Sequence, residues 1–440
     1  MNPWLGIGGV IVLLGILMRL VQWAQKRGLP PELSRKSVHI GMGLICAAFP
    51  WIFSNVWPVG LLSILAVSLL GGIRLLPALR EKYGAVLGGV KRTSLGEIYF
   101  PIAIALTFWL AEGDRLLFVI PVLILTFADA VGALVGIRYG LSRYRTDEGQ
   151  KSAEGSLAFF TVAFLTAHIP LLLFTTIGRS ETLLIALTLG FLVMLLEAIS
   201  WRGLDNFIIP LGAFFILKLY AGMTAADLLI RFAVLLALVA LVILGRNRTT
   251  LSDSAVLAGA LAGYLIWALA GWVWLVAPVI LFGIYIALPS FPAEERPIQS
   301  LRAVTRVMFG GFVWLFLSEL MKRPEWLLPF AVCFAAHAGN IIFARLRVVR
   351  TEIGFARSYA IALLGAFLPF SLICLAAGAG ILIAAWGALF LAIAISVAIF
   401  SRGWTGPIIA ENGFRLWLTE TLVAPLASLI GLLPLLKIPS

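Results

Sequence analysis

Apolar runs of about twenty residues, parted by short polar breaks, recur along the whole chain, and this alternation limits the fold more than any other feature. A run of that length crosses a bilayer as an α-helix, because hydrocarbon offers no partner to backbone N–H and C=O groups and a helix satisfies them internally. The runs fall near 4–22, 38–56, 57–73, 97–111, 116–137, 156–175, 181–199, 206–222, 226–245, 254–270, 271–288, 305–321, 326–344, 358–379, 380–400 and 416–436. They describe an all-α, polytopic integral membrane protein with about 14–16 transmembrane helices, some runs being short enough for re-entrant segments or paired hairpins. Composition excludes a soluble globule: 61% of the residues are hydrophobic and 12% charged, against roughly 45–50% and 25% in soluble domains. Met1 leads directly into an apolar run, with no basic stretch or small-residue cleavage site, so no cleaved signal is expected. Cys46, Cys333 and Cys374 lie in apolar segments at no metal or redox spacing and read as packing residues.

A formal net charge of +12 raises the question of nucleic acid, and its distribution answers it. Basic residues gather in alternate breaks, as in Lys26 to Lys36, Arg74 to Arg92, Arg138 to Lys151, Arg202, Arg246 to Arg248, Arg296 to Arg306 and Arg345 to Arg357. The intervening breaks hold mainly Arg115, Arg179, Lys322 and Arg323. Alternation of this kind is topology: the rich side faces the cytoplasm, the N-terminus lies outside, and anionic lipid rather than nucleic acid is the partner.

Polar segments on the rich side hold residues that membrane spans do not require. In the first, Pro30 and Pro31 start a helix on which Glu32, Arg35, Lys36 and His39 share a face. That stripe serves either as a juxtamembrane helix with snorkelling cations or as an acid, cations and an imidazole gathered at the bilayer entrance. In the second, Lys91, Arg92, Thr93 and Ser94 suit phosphate and suit a positive-inside role equally, while Glu97 at the membrane edge favours function. In the third, Asp129 ends an apolar run, where a carboxylate costs roughly 2.5–3.5 kcal/mol to insert. Such an acid can hold Mg²⁺, which takes one or two carboxylates plus substrate phosphates. Gly132, Gly136 and Gly140 follow at a spacing that lets helices approach closely. The loop Lys151-Ser152-Ala153-Glu154-Gly155-Ser156 then offers a lysine, hydroxyls and a helix start to an anion, without the frame of a Walker A motif. In the fourth, Glu197, Asp205 and Asn206 stand before Pro210, either as turn residues or as acids that join Asp129.

Taken in order, these segments resemble the polyprenol kinase family, which contains phytol kinases, dolichol kinases and CTP-dependent diacylglycerol kinases. Glu32-Leu-Ser-Arg35-Lys36-Ser-Val-His39 is similar to its opening signature, and Ala128-Asp129-Ala130 with Gly136 and Gly140 to its Ala-Asp-Ala segment. Lys151-Ser152-Ala-Glu-Gly155-Ser156 resembles its Lys-Ser-x-x-Gly-Ser loop, and Glu197 through Asp205-Asn206 to Pro210 its last element. The resemblance covers residues 1–245, and the phytol kinase branch fits best. It implies transfer of the γ-phosphoryl group of CTP or another NTP to a lipid alcohol, with Mg²⁺. On that reading Asp129 holds Mg²⁺ with Glu197 or Asp205, and Lys151, Ser152, Gly155 and Ser156, with Lys91 and Arg92, bind phosphates. Arg35 and Lys36 add positive charge, Glu97 and Asn206 lie alongside, and the proton acceptor is left open between His39 and a carboxylate such as Glu32. The implied partners are a nucleotide, a lipid alcohol such as phytol or geranylgeraniol, membrane lipids and a second copy of the chain. The implied location is the plasma membrane, with the site facing the cytoplasm.

Residues 251–440 form a second membrane domain. The segments Ser252–Gly263, Arg302–Gly311 and Ala336-His-Ala-Gly-Asn340 are faintly similar to the membrane family that includes phytyl-phosphate kinase, although Asn340 stands where an acid is expected. A lipid-packing or dimerising domain is the other reading. Two further functions are open to a chain of this composition. A lipid-phosphate cytidylyltransferase is disfavoured because its Pro-Gly-His-Gly-Gly signature is missing. A lipid or solute transporter is disfavoured because the charges gather at one surface rather than the midplane.

Overall fold

The computed structural model describes residues 2–75, 95–146, 149–289, 298–377, 381–403 and 414–437. Helices make up nearly all of it. Among the described residues ten are at least eighteen residues long and apolar enough to cross a membrane. Gly96–Leu110, Trp272–Ala287, Phe355–Ser371 and Thr421–Leu436 are shorter apolar helices. The protein is a multi-pass, all-α membrane protein. The chain divides into two compact units, Met1–Ala233 and Val234–Ser440, and the division falls inside the helix Ala225–Gly245.

In the first unit the helices are α1 (Pro3–Lys26), α2 (Pro31–Ala47), α3 (Trp57–Leu75), α4 (Gly96–Leu110), α5 (Arg115–Leu123) and α6 (Asp129–Tyr139). Then follow the strands β1 (Arg143–Thr146) and β2 (Gly149–Ser152), and the helices α7 (Ala153–Phe174), α8 (Arg179–Ile199) and α9 (Asp205–Tyr220). Phe118, Phe159, Ile185, Leu189 and Phe214 fill the interior that these helices share. The antiparallel hairpin β1–β2 occupies a stretch where the sequence pattern shows only a polar break, and it turns at Gly149, whose φ of +133° suits glycine.

Two local features position the polar ends. The run 116–137, continuous in sequence, is interrupted in structure. Pro121 has no N–H to give and crowds the preceding turn, and three residues later the chain widens into a π-helical turn, Ile124–Ala128, before α6 begins at Asp129. Thr126 Oγ1 donates to the Val122 carbonyl at 2.6 Å inside this stretch. The second feature is the crossing of α6 and α7. A Cβ on Gly155 would stand 2.9 Å from the Gly132 carbonyl oxygen and 3.0 Å from Gly136 Cα. The glycine spacing therefore does bring two helices to backbone contact, and with them the start of α7 to the Asp129 helix.

The second unit is arranged around the helix Leu327–Val349, which is buried along almost its whole length. Trp272–Ala287, Leu301–Met321, Phe355–Ser371 and Leu382–Gly403 pack around it. Phe330, Phe334, Phe343 and Phe370 are fully buried there, and Asn340 pairs with Ser396 of the neighbouring helix through bonds of 3.0 and 3.2 Å.

Candidate functional site

The site is built first by α2. Gly43 lies so close to Thr126 that a Cβ would clash with it, and this contact presses α2 onto the π-helical turn. One turn and two turns earlier on α2, His39 and Lys36 then face Asp129. Lys36 Nζ is 2.7 Å from Asp129 Oδ2 and 3.2 Å from the Asp129 carbonyl oxygen, and its side chain is 3% exposed. His39 Nε2 lies 3.4 Å from the same carboxylate oxygen and 3.1 Å from the Leu125 carbonyl oxygen. A carbonyl only accepts, so Nε2 carries a proton, and in the neutral imidazole Nδ1 is then the nitrogen with the lone pair. The imidazole edge rests on Phe100, with ring centroids 5.8 Å apart. The stripe read from the sequence thus divides. Lys36 and His39 turn inward, while Arg35 pairs with Glu32 at 2.6 Å on the half-exposed side. Arg35 still acts through space on the Asp129 and Asp205 carboxylates.

The second part comes from β2, α7 and α8. Lys151 Nζ is 2.7 Å from Glu197 Oε1 and also donates to the Glu197 carbonyl oxygen. Ser152 caps α7, its Oγ accepting from Gly155 N–H at 3.1 Å. Ser156 Oγ is 2.8 Å from the Tyr144 hydroxyl. The hydroxyls that the sequence pattern offers to phosphate thus have protein partners here, and Lys151 is the loop's cation.

Between Glu197 and Asp205 the chain makes a left-handed turn at Arg202 (φ 51°) and Gly203 (φ 78°). Strain of this kind in a non-glycine residue persists where neighbours fix it. Here the Arg202 carbonyl accepts from Leu95 N–H at 2.9 Å, which ties the turn to the start of α4. Asp205 then opens α9 within electrostatic reach of Asp129, Lys151, Glu197 and Lys36. Asn206 Oδ1 is buried without a hydrogen-bond partner. Glu97, in the first turn of α4, acts on Arg74 and Arg35 instead. Lys91 and Arg92 lie outside the described residues. Among the described residues no three His, Cys, Asp or Glu side chains stand together as a metal-binding group.

The arrangement alternates charge: Lys36 with Asp129, Lys151 with Glu197, and Asp205 acting on both pairs. Removing such charges from water costs several kcal/mol per ion, and pairing recovers that only with good geometry. Ammonium groups held by carboxylates beside a helix start are suited to a polyanion that displaces the carboxylates, and the freed acids are suited to a hard cation. Two participants were not evident in the sequence: the Leu125 carbonyl and Tyr144. Pro121, eight residues before Asp129, was the available sign that the helix is distorted there.

This fold and this cluster define a polytopic membrane protein with a charged site at the polar ends of one unit. A phytol kinase of Synechocystis sp. (strain PCC 6803) is 28% identical over 214 residues, which cover 48% of this chain and 89% of that protein. That likeness supports a polyprenol and phytol kinase family relationship for the amino-terminal half. No family model matches the chain. No solved structure matches it.

Proposed function

We propose that the first unit is a lipid alcohol kinase, which transfers the γ-phosphoryl group of CTP or another NTP to an isoprenoid alcohol such as phytol or geranylgeraniol at the cytoplasmic face of the plasma membrane. The observation that carries this reading is the convergence of Lys36, Asp129, Lys151, Glu197 and Asp205 in the half of the chain that is similar to a phytol kinase. Phosphoryl transfer needs charge neutralisation and in-line placement more than covalent chemistry from the protein. Lys151 leaves Glu197 to bind the nucleotide's phosphates, and Arg35 adds charge from the open side. The substrate hydroxyl approaches from the bilayer, its hydrocarbon tail remaining among the spans. His39 accepts the hydroxyl proton at Nδ1, since Nε2 is committed to Leu125 and Asp129.

Magnesium fits the oxygen donors present: the Asp129 and Asp205 carboxylates and the unpartnered Asn206 Oδ1. These residues would hold it, and when bound it supplies neutralisation of the phosphate charge. Glu197, released when Lys151 turns to the phosphates, is the further carboxylate that would join them.

The test is direct. Purified full-length protein in nanodiscs is incubated with Mg²⁺, γ-labelled CTP or ATP, and phytol, geranylgeraniol, polyprenol or diacylglycerol. Label in one lipid is the expected result and names both substrates. Pyrophosphate release with a lipid phosphate, or no nucleotide turnover with any lipid, would overturn the reading.

A further inference from the structure

The hairpin between α6 and α7 is fastened at points that phosphate binding alone does not require. Tyr144 and Lys151 are direct cross-strand partners and so share a face of the hairpin. From that face the Tyr144 hydroxyl reaches Ser156 Oγ on the first turn of α7, at 2.8 Å. At the base, the Glu154 carboxylate accepts the backbone N–H groups of Leu141 at 3.2 Å and Ser142 at 3.0 Å. Ala153 N–H donates to the Ser142 carbonyl at 2.9 Å beside it. Ser152, the residue after Lys151, is wedged against the helix before the hairpin: a Cβ on Gly140 would lie 2.7 Å from the Ser152 Cβ and Oγ. Lys151 is therefore bracketed on three sides: by its strand partner, by the clasp at the hairpin base, and by the buried serine that follows it.

A lysine on a free loop must give up chain and rotamer freedom each time it engages a phosphate, whereas a lysine on a fastened strand has already done so. We propose that Tyr144 and Glu154 are positioning residues that hold β2 so that the Lys151 ammonium stands ready for the nucleotide's phosphates. The proposal rests on the kinase reading above and assigns roles to two residues outside its phosphate and metal groups. It separates two functions within one short segment. Lys151 exchanges Glu197 for phosphate, and Tyr144 with Glu154 keeps the strand still while it does so.

The experiment uses full-length protein in nanodiscs and measures kcat, KM for CTP–Mg²⁺ and KM for the lipid alcohol separately. Tyr144→Phe is expected to raise the nucleotide KM roughly five- to tenfold, as for one lost hydrogen bond. The lipid KM and kcat stay within about twofold. Ser156→Ala is expected to do the same, and the double variant to be no worse than either single one, because both remove a single bond. Glu154→Ala is expected to raise the nucleotide KM, and Glu154→Gln, which keeps an acceptor oxygen, to restore it. Hydrogen exchange of residues 141–146 and 149–152 should quicken in Tyr144→Phe and Glu154→Ala and not in Glu154→Gln. Quickened exchange with an unchanged nucleotide KM would overturn the proposal, as would a joint decline of kcat and both KM values with thermal stability. If the wild-type protein phosphorylates no lipid, the kinase reading fails by itself, and equilibrium binding of CTP–Mg²⁺ decides the positioning role. Weaker binding in Tyr144→Phe supports it, and equal binding refutes it.

Discussion

In the first unit two charged pairs are drawn in beside neutral hydroxyls such as Thr126 and Thr188: Lys36 lies against Asp129, and Lys151, partly exposed, against Glu197. In the second unit the buried polar side chains are mostly neutral and pair with one another, Asn340 with Ser396 across two helices and Thr250, between helices, with Tyr285 at 2.5 Å. Arg345, a buried cation there, donates to the Pro289 carbonyl and lies over the Tyr285 ring. The difference is instructive because the two kinds of pair have different physics. A neutral interhelical hydrogen bond carries a small desolvation cost and keeps helices in register. A buried ion pair costs several kcal/mol to desolvate and is weak evidence of stability. Where a chain keeps such pairs at one polar end, a chemical role is the better explanation, and where it keeps neutral pairs in a helix core, packing is.

That contrast can be broken by substitution, and the largest effect is expected at Asp129. Asp129→Asn should reduce lipid phosphorylation by about a thousandfold or more, the scale of a lost charge-stabilising group. It should also destabilise the fold by about 3–5 kcal/mol, because the Lys36 ammonium is left buried and unpaired. The double variant Lys36→Met/Asp129→Leu should recover thermal stability and no activity. Recovery of both would make the pair structural, as in the second unit. Lys151→Ala should lower kcat/KM by about a hundredfold while changing stability by at most about 1 kcal/mol, since its pair with Glu197 is partly exposed. A melting curve and a rate constant on one preparation check both statements.

Smaller effects sharpen the comparison. Gly155→Ala should cost about 1–3 kcal/mol by forcing α6 and α7 apart, and activity should decline with it because the crossing carries both Asp129 and Ser152. In the second unit, Asn340→Ala and Ser396→Ala should each cost about 1 kcal/mol, should not add in combination, and should leave phosphorylation within about twofold of wild type. A large loss of phosphorylation from Asn340→Ala would show that the second unit takes part in the chemistry.

Much of the site's membership was legible from position alone. Asp129 is conspicuous as a carboxylate in an apolar run, and Lys36, His39, Lys151, Glu197 and Asp205 stand in polar breaks on a common side. Their pairing was not legible. Nothing in the spacing of Glu32, Arg35, Lys36 and His39 says that the first pair faces outward and the second inward. That division follows from the angle at which Gly43 lets α2 meet Thr126. Nor does the sequence state that Ser156 is claimed by Tyr144, because the hairpin register that places Tyr144 is set by contacts between segments.

The sequence by itself determined that this chain lives in a bilayer as a bundle of helices, because apolar runs of bilayer length admit no other way to satisfy their backbone. It also determined which side is basic and which helix offers a glycine face for close approach, since charge bias and glycine spacing are local properties of the chain. Only the tertiary structure decided which acid meets which cation, where the π-helical turn leaves a carbonyl for His39, and how the hairpin holds Lys151. Those outcomes depend on crossing angles and close contacts between helices far apart in sequence, and a few ångströms of helix placement separate a paired ion from a solvated one.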